Sequence, residues 1–128
     1  MSILAYSMVG TNNFERARKF YGELLSDLNA IETFVRPDGG VVMWGRKPGE
    51  AFFAIAKPAD GGTATVGNGV MVAFAARDPA QVKALYDKAV SLGASCAGEP
   101  GPRLTGSVSC AYVRDLDGNK LNFFCMGS

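Results

Sequence analysis

Apolar positions along this chain change their spacing in a fixed order, and the order occurs twice. Residues 3–9 form a short apolar run with the length and bias of a strand. From Phe14 the spacing turns helical, with Phe14, Ala17, Phe20, Tyr21, Leu24, Leu25 and Leu28 on one face. Asn12 and Asn13 are candidate caps, and Glu15 stands in capping-box register with Asn12. This helix is expected to end near Asn29. Strands over 33–36, 41–45 and 51–57 follow, the first two joined by a tight turn at Pro37-Asp38-Gly39-Gly40. After a Gly-, Ala- and Thr-rich stretch, 69–76 again reads as a strand. Asp78 caps a second helix, Pro79 takes its first position, and Gln81 completes a weaker box. Val82, Leu85, Tyr86, Ala89 and Val90 make its apolar stripe, and Gly93 stops it. Residues 94–97 read as a short strand and 99–106 as a Gly/Pro loop. Strands over 108–114 and 120–125 are linked by Asp115-Leu116-Asp117-Gly118-Asn119.

The internal register supports a duplication. Tyr6 precedes Tyr21 by 15 positions, and Met71 precedes Tyr86 by 15. Gly49 lies four residues before Phe53, and Gly118 four before Asn122. The pattern predicts one α+β domain over 1–128, built of two βαβββ units at 1–58 and 69–126 with a connector at 59–68. Each sheet has one apolar face under its helix and another left to cover. Pairing the units would form a curved mixed sheet around a cleft, where a ligand is expected to sit.

Charge removes several function classes. Thirteen basic residues oppose twelve acidic ones, so no broad footprint for nucleic acid exists. No apolar run approaches the roughly 18 residues of a membrane span. Residues 1–9 lack a basic leader and a cleavage site, so a cytoplasmic location is expected. The three cysteines, Cys96, Cys110 and Cys125, are odd in number and irregularly spaced, which argues against a disulfide framework. Asp115, Asp117 and Asn119 suit a hairpin better than a calcium loop, because Gly118 comes at the fourth position instead of the sixth. Arg16, Arg18 and Lys19 read as a solvated helix face. The chain contains no histidine. The commonest neutral metal ligand and the default general base near pH 7 are both missing.

Two segments carry a family resemblance: Asn13-Phe14-Glu15-Arg16-Ala17-Arg18-Lys19-Phe20-Tyr21, and Arg114-Asp115-Leu116-Asp117-Gly118-Asn119-Lys120, where Leu116 replaces a usual proline. With the doubled element order, they resemble the vicinal oxygen chelate superfamily of glyoxalase I, bleomycin-resistance proteins and ring-cleaving dioxygenases. The resemblance covers essentially the whole chain. It implies a homodimer and a small-molecule ligand. Metal-dependent members place four ligands, mostly two histidines and two glutamates, on inward strand faces. The resemblance projects them onto Tyr6, Phe53 to within one residue, Met71 and Asn122. A phenol is protonated near neutrality, a thioether is soft, an amide oxygen is weak and a phenyl ring has no donor. No metal and no cofactor are therefore expected.

Strand alternation extends this set. Tyr6 brings Leu4 and Met8 to its face, Phe53 brings Ala51 and Ile55, Met71 brings Ala73 and Ala75, and Asn122 brings Phe124. Tyr112 shares a face with Cys110 and Val108. Trp44 is either a stacking wall or a packing residue against a partner subunit. Arg103 is either a solvated loop residue or a cation reaching over the cleft mouth to an anionic ligand. The candidate ligand-binding residues are thus Tyr6, Met8, Trp44, Phe53, Met71, Arg103, Tyr112, Asn122 and Phe124. They suit metal-independent binding of a small, largely apolar or aromatic molecule, such as a sequestered drug. A glyoxalase-like lyase or isomerase and a non-catalytic scaffold are the alternatives.

Overall fold

A computed structural model describes residues 2–36, 38 and 40–127. Pro37 and Gly39 of the expected tight turn lie outside the described residues, as do Met1 and Ser128. The chain divides into two compact units, Met1–Val66 and Gly67–Ser128. Unit one runs β1 (Tyr6–Gly10), α1 (Phe14–Ser26), β2 (Ile31–Arg36), β3 (Val41–Gly45) and β4 (Phe52–Ala56). Unit two runs β5 (Val72–Ala75), α2 (Pro79–Ser91), β6 (Ser95–Arg103), β7 (Val108–Arg114) and β8 (Lys120–Met126). The sheet orders are β1-β4-β3-β2 and β5-β8-β7-β6, the same topology twice. In each, the first strand pairs parallel with the fourth, and the remaining pairs are antiparallel. The parallel pair requires a long crossover, and each helix begins that return path.

The helix ends follow local side-chain chemistry. Asn13, not Asn12, caps α1, its carboxamide accepting from the Arg16 amide. No glutamate box forms, because the third helical residue is Arg16 and not Glu15. Asn12 instead holds the connector, bonding both the amide and the carbonyl of Ala64. Asn29 ends the helix in the left-handed region at φ 60°, with the Ala30 amide bonded back to Leu25. In α2, Asp78 accepts from the Gln81 amide while the Gln81 side chain accepts from the Arg77 amide. Gly93, at φ 111°, lets the chain leave the helix and return the Ala94 amide to Ala89.

Each unit buries its core between its helix and one sheet face. In unit one, Tyr21 of α1 packs on Phe53 and Trp44 with ring centroids 4.8 and 6.0 Å apart, and Phe20 meets Tyr21 edge-on at 5.0 Å. In unit two, Val82, Leu85 and Ala89 of α2 are buried, as are Leu121, Phe123 and Val113 of the sheet beneath. Full burial of each such large side chain is worth about 1.5–3 kcal/mol relative to exposure.

Two expectations require correction. The segment expected as a short strand and a Gly/Pro loop is one nine-residue strand, β6. Register shifts between Cys96 and Gly98 and between Gly98 and Gly101 absorb its Gly and Pro residues, as bulges on an edge strand allow. Arg18 is not simply solvated. Its Nε and Nη2 each donate to one Glu32 carboxylate oxygen, both at 2.7 Å, which ties α1 to β2. The Arg18 hydrogen bonds hold the Glu32 carboxyl below its ordinary value of 4.5.

That lowered value adds stability which is fully present above the unfolded value and lost as pH falls through the folded one. Both side chains are about one-third exposed, so a double-mutant cycle with Arg18→Gln and Glu32→Gln should give a coupling of about 0.5–1 kcal/mol. Urea titrations should find that coupling at pH 7 and a smaller one at pH 3; an equal coupling at both would contradict the pairing.

Candidate functional site

The strand registers decide which candidates share a surface. In unit one, Tyr6 pairs with Phe52 and Met8 with Ala54. Met43 is opposite Ala54 in turn. These side chains occupy the face away from α1. Tyr6 and Met8 are exposed there. Phe53 pairs with Ser7 and Trp44, on the face beneath α1. Phe53 is therefore not beside Tyr6, and Phe52 takes that place. Trp44 and Phe53 are 2% and 6% exposed and are core residues of unit one. Trp44 is neither a stacking wall nor a surface for a partner.

One residue of loop length explains the difference. Glu50 and Ala51 separate Gly49 from β4, whereas only Asn119 separates Gly118 from β8. The glycine-based register therefore slips by one between the units, and a one-residue slip sends a side chain to the other face.

In unit two the expected neighbours do meet. Asn122 pairs with Ala73 on one side and with Tyr112 on the other. Phe124 pairs with Ala75 and Cys110. All lie on the face away from α2. Met71 immediately precedes β5 and is exposed, as are Ala73 and Ala75. Asn122 is 5% exposed, and its Oδ1 is buried with no hydrogen-bond partner. A buried carbonyl left unpaired costs about 1–3 kcal/mol, so a persistent orphan on a sheet face calls for a reason.

The Tyr112 ring rests over Gly98, where an added Cβ would approach ring carbon Cδ2 to 2.7 Å. Its phenol is held above its ordinary value by the neighbouring Cys110 thiol and by partial burial, with Arg103 pulling the other way. It therefore stays protonated and neutral near pH 7. The Arg103 guanidinium carbon lies 5.8 Å from the ring centroid, and the Lys120 Nζ lies 5.2 Å from it. Arg103 is not a free loop cation. It ends β6, and its guanidinium donates to the carbonyls of Glu99, Gly101 and Pro102. Lys120 was missed at the level of sequence, and Phe52 stands one residue from the position expected there. Lys120 had a readable signal, since it stands two residues before Asn122 on one strand.

A recess of about 350 Å³ opens elsewhere in unit one, lined by residues that include Thr11, Asn12, Lys57 and Gly61. The Thr11 hydroxyl already bonds the Asn13 carbonyl, and the Asn12 amide group already bonds Ala64. This recess therefore has a weaker claim to ligand chemistry than the Asn122 face.

Among the described residues, no group of three or more His, Cys, Asp or Glu side chains could hold a metal ion. On the faces away from the helices, the neighbours in register are Phe52 and Ala54 around Tyr6 and Met8, and Ala73, Tyr112 and Cys110 around Asn122 and Phe124. This donor set does not fit the divalent ion of metal-dependent glyoxalases. Cys96 is exposed, while Cys110 and Cys125 are buried. Cys110 and Cys125 belong to opposite faces, because Cys110 pairs with Phe124, the residue preceding Cys125.

Two mixed βαβββ sheets of one topology define a glyoxalase-like fold. The family model for the glyoxalase/bleomycin resistance protein/dioxygenase superfamily matches residues 3–123, and the chain belongs to that superfamily. A crystal structure of a glyoxalase/bleomycin resistance protein from Albidiferax ferrireducens T118 is 34% identical, with TM-score 0.85 over 96% of this chain and 98% of that one. A glyoxalase-related enzyme from Fulvimarina pelagi shares the fold at 20% identity and TM-score 0.73, over 100% of this chain and 96% of the other. A family enzyme from Burkholderia phytofirmans PsJN does so at 14% identity and TM-score 0.72, over 96% and 98%. No curated protein matches the chain. No helix among the described residues is long and apolar enough to cross a membrane.

The face assignment makes Phe53 a stability residue. Phe53→Ala should cost about 3–5 kcal/mol in chemical denaturation, as for other buried phenylalanines. A loss below about 1 kcal/mol would contradict its place under α1.

Proposed function

We propose that this chain binds a small, largely aromatic or apolar molecule on the face of unit two away from α2, without a resident metal ion. One observation carries the reading: the Asn122 carboxamide oxygen is buried and unpaired among side chains otherwise suited to apolar contact. Met71, Phe124 and the Tyr112 ring supply adaptable and flat contact area. The alanines at 73 and 75 leave the β5 side of the amide low. A ligand N–H or O–H arriving there would pair the orphan oxygen and gain the free energy its isolation costs.

The two polar side chains paired across the centre of this face, Asn122 and Tyr112, are not poised for acid–base chemistry near pH 7. Its phenol is held protonated, and its amide does not titrate. Binding is therefore favoured over turnover. The superfamily's resemblance-based expectation of a homodimer forms part of the same proposal, and the exposed Tyr6, Met8 and Phe34 of unit one are apolar surface available to a second copy.

The test is a calorimetric screen of aromatic compounds and drugs against the purified chain, with metal content measured on the same sample. A hit should weaken by about fivefold or more in Met71→Ala, which removes most of an exposed side chain that the ligand would cover. Stoichiometric metal together with turnover of a hemithioacetal would instead favour the lyase reading. Unchanged affinity in Met71→Ala would move the site off this face.

A further inference from the structure

We infer that the molecule taken by the Asn122 face is a small organic anion that also carries an N–H or O–H donor; this deepens the binding reading above and rests on it. The net charge of the whole chain, +1, conceals a local imbalance. Arg103 and Lys120 come from different strands and converge on one ring, each within 6 Å of the Tyr112 centroid. Neither has a carboxylate within ion-pair distance among the described residues, although Arg18, Arg36, Arg46, Arg77 and Lys83 all do. The Arg103 guanidinium is pinned by three backbone carbonyls, which fix its position without cancelling its charge. A cation held in place before the ligand arrives loses little further freedom on binding. The Arg103 Nε–H and the flexible Lys120 ammonium are left to address an acid group.

The third element is the orphan carbonyl. Asn122 faces Tyr112 directly across the β7–β8 ladder, so the two side chains start about 4.5–5.5 Å apart at their Cβ atoms. Two uncompensated cations and one buried acceptor thus border a single aromatic ring. An acid group satisfies the first pair, and a hydroxyl, amide or amine hydrogen satisfies the acceptor. A neutral hydrocarbon satisfies neither. The net-neutral, partly apolar character of the rest of the face limits the ligand to one acid group on a flat or compact body.

The experiment is a two-dimensional 1H–15N NMR titration of the full chain with 3-hydroxybenzoate, its methyl ester and benzoate. The hydroxy acid should shift Tyr112 and the Asn122 side-chain amide, and bind about tenfold more tightly than either partner compound, as for loss of one charge-assisted or buried hydrogen bond. The Lys120 side chain makes no hydrogen bond among the described residues, so Lys120→Gln removes none there, and the variant's own spectrum reports whether it folds. It should weaken the acid about tenfold and leave the ester unchanged, and Lys120→Arg should restore the acid. Equal binding of ester and acid at this face, or acid binding indifferent to Lys120→Gln, would overturn the anion inference and leave the aromatic-binding reading standing. Absence of shifts at Tyr112 and Asn122 with all three compounds would overturn both.

Discussion

A four-stranded sheet has two faces, and each unit of this chain supplies one helix. That mismatch governs everything else in the molecule. The helix takes the face on which alternating residues are large and apolar, and the core forms there. In unit one it draws in Tyr21, Trp44 and Phe53; in unit two, Leu85, Phe123 and Leu121. The remaining face keeps whatever the alternate positions hold. In unit two those positions hold an amide, a phenol, a thiol and two cations, a poor composition for a core and a good one for recognition.

Much of this is legible in the amino-acid sequence. The helices announce themselves through caps and stops: Asn13, Asp78 with Pro79, Asn29 and Gly93 each do what their chemistry requires. The doubled element order is visible because both units repeat the same spacing of apolar residues. The faces were harder to read. Alternation within a strand fixes relative orientation but not which set faces the helix, and a single extra loop residue after Gly49 reversed the assignment for Phe53. In unit two no such residue intervenes, and Asn122, Phe124, Tyr112 and Cys110 share a face as alternation implies. The long edge strand β6 was obscured by glycines and prolines that usually mark loops. The role of Arg103 depended on that strand, because only a strand brings its side chain back over Gly101 toward Tyr112.

The superfamily is best known for sites built on metal ligands, and this chain meets its fold without that donor set. Where a carboxylate or imidazole would be needed, it offers an amide, a thioether and aromatic carbon. The same positions still define a face with polar direction. The orphan carbonyl of Asn122 gives that direction in one place, and the pinned guanidinium of Arg103 gives it in another. On the proposed binding reading, specificity would arise from pairing groups that the fold leaves unpaired, while the aromatic and small residues around them would provide area.

The account turns on whether the fold tolerates the Asn122 amide or depends on it. Asn122→Leu, measured both for unfolding free energy and for affinity toward the tightest ligand found, separates the two. An amide kept for a ligand predicts a variant more stable than the parent by about 1–2 kcal/mol, because an unpaired buried carbonyl has been removed, together with a loss of binding of at least about tenfold. A variant that is less stable, or that binds as well as the parent, would contradict the account.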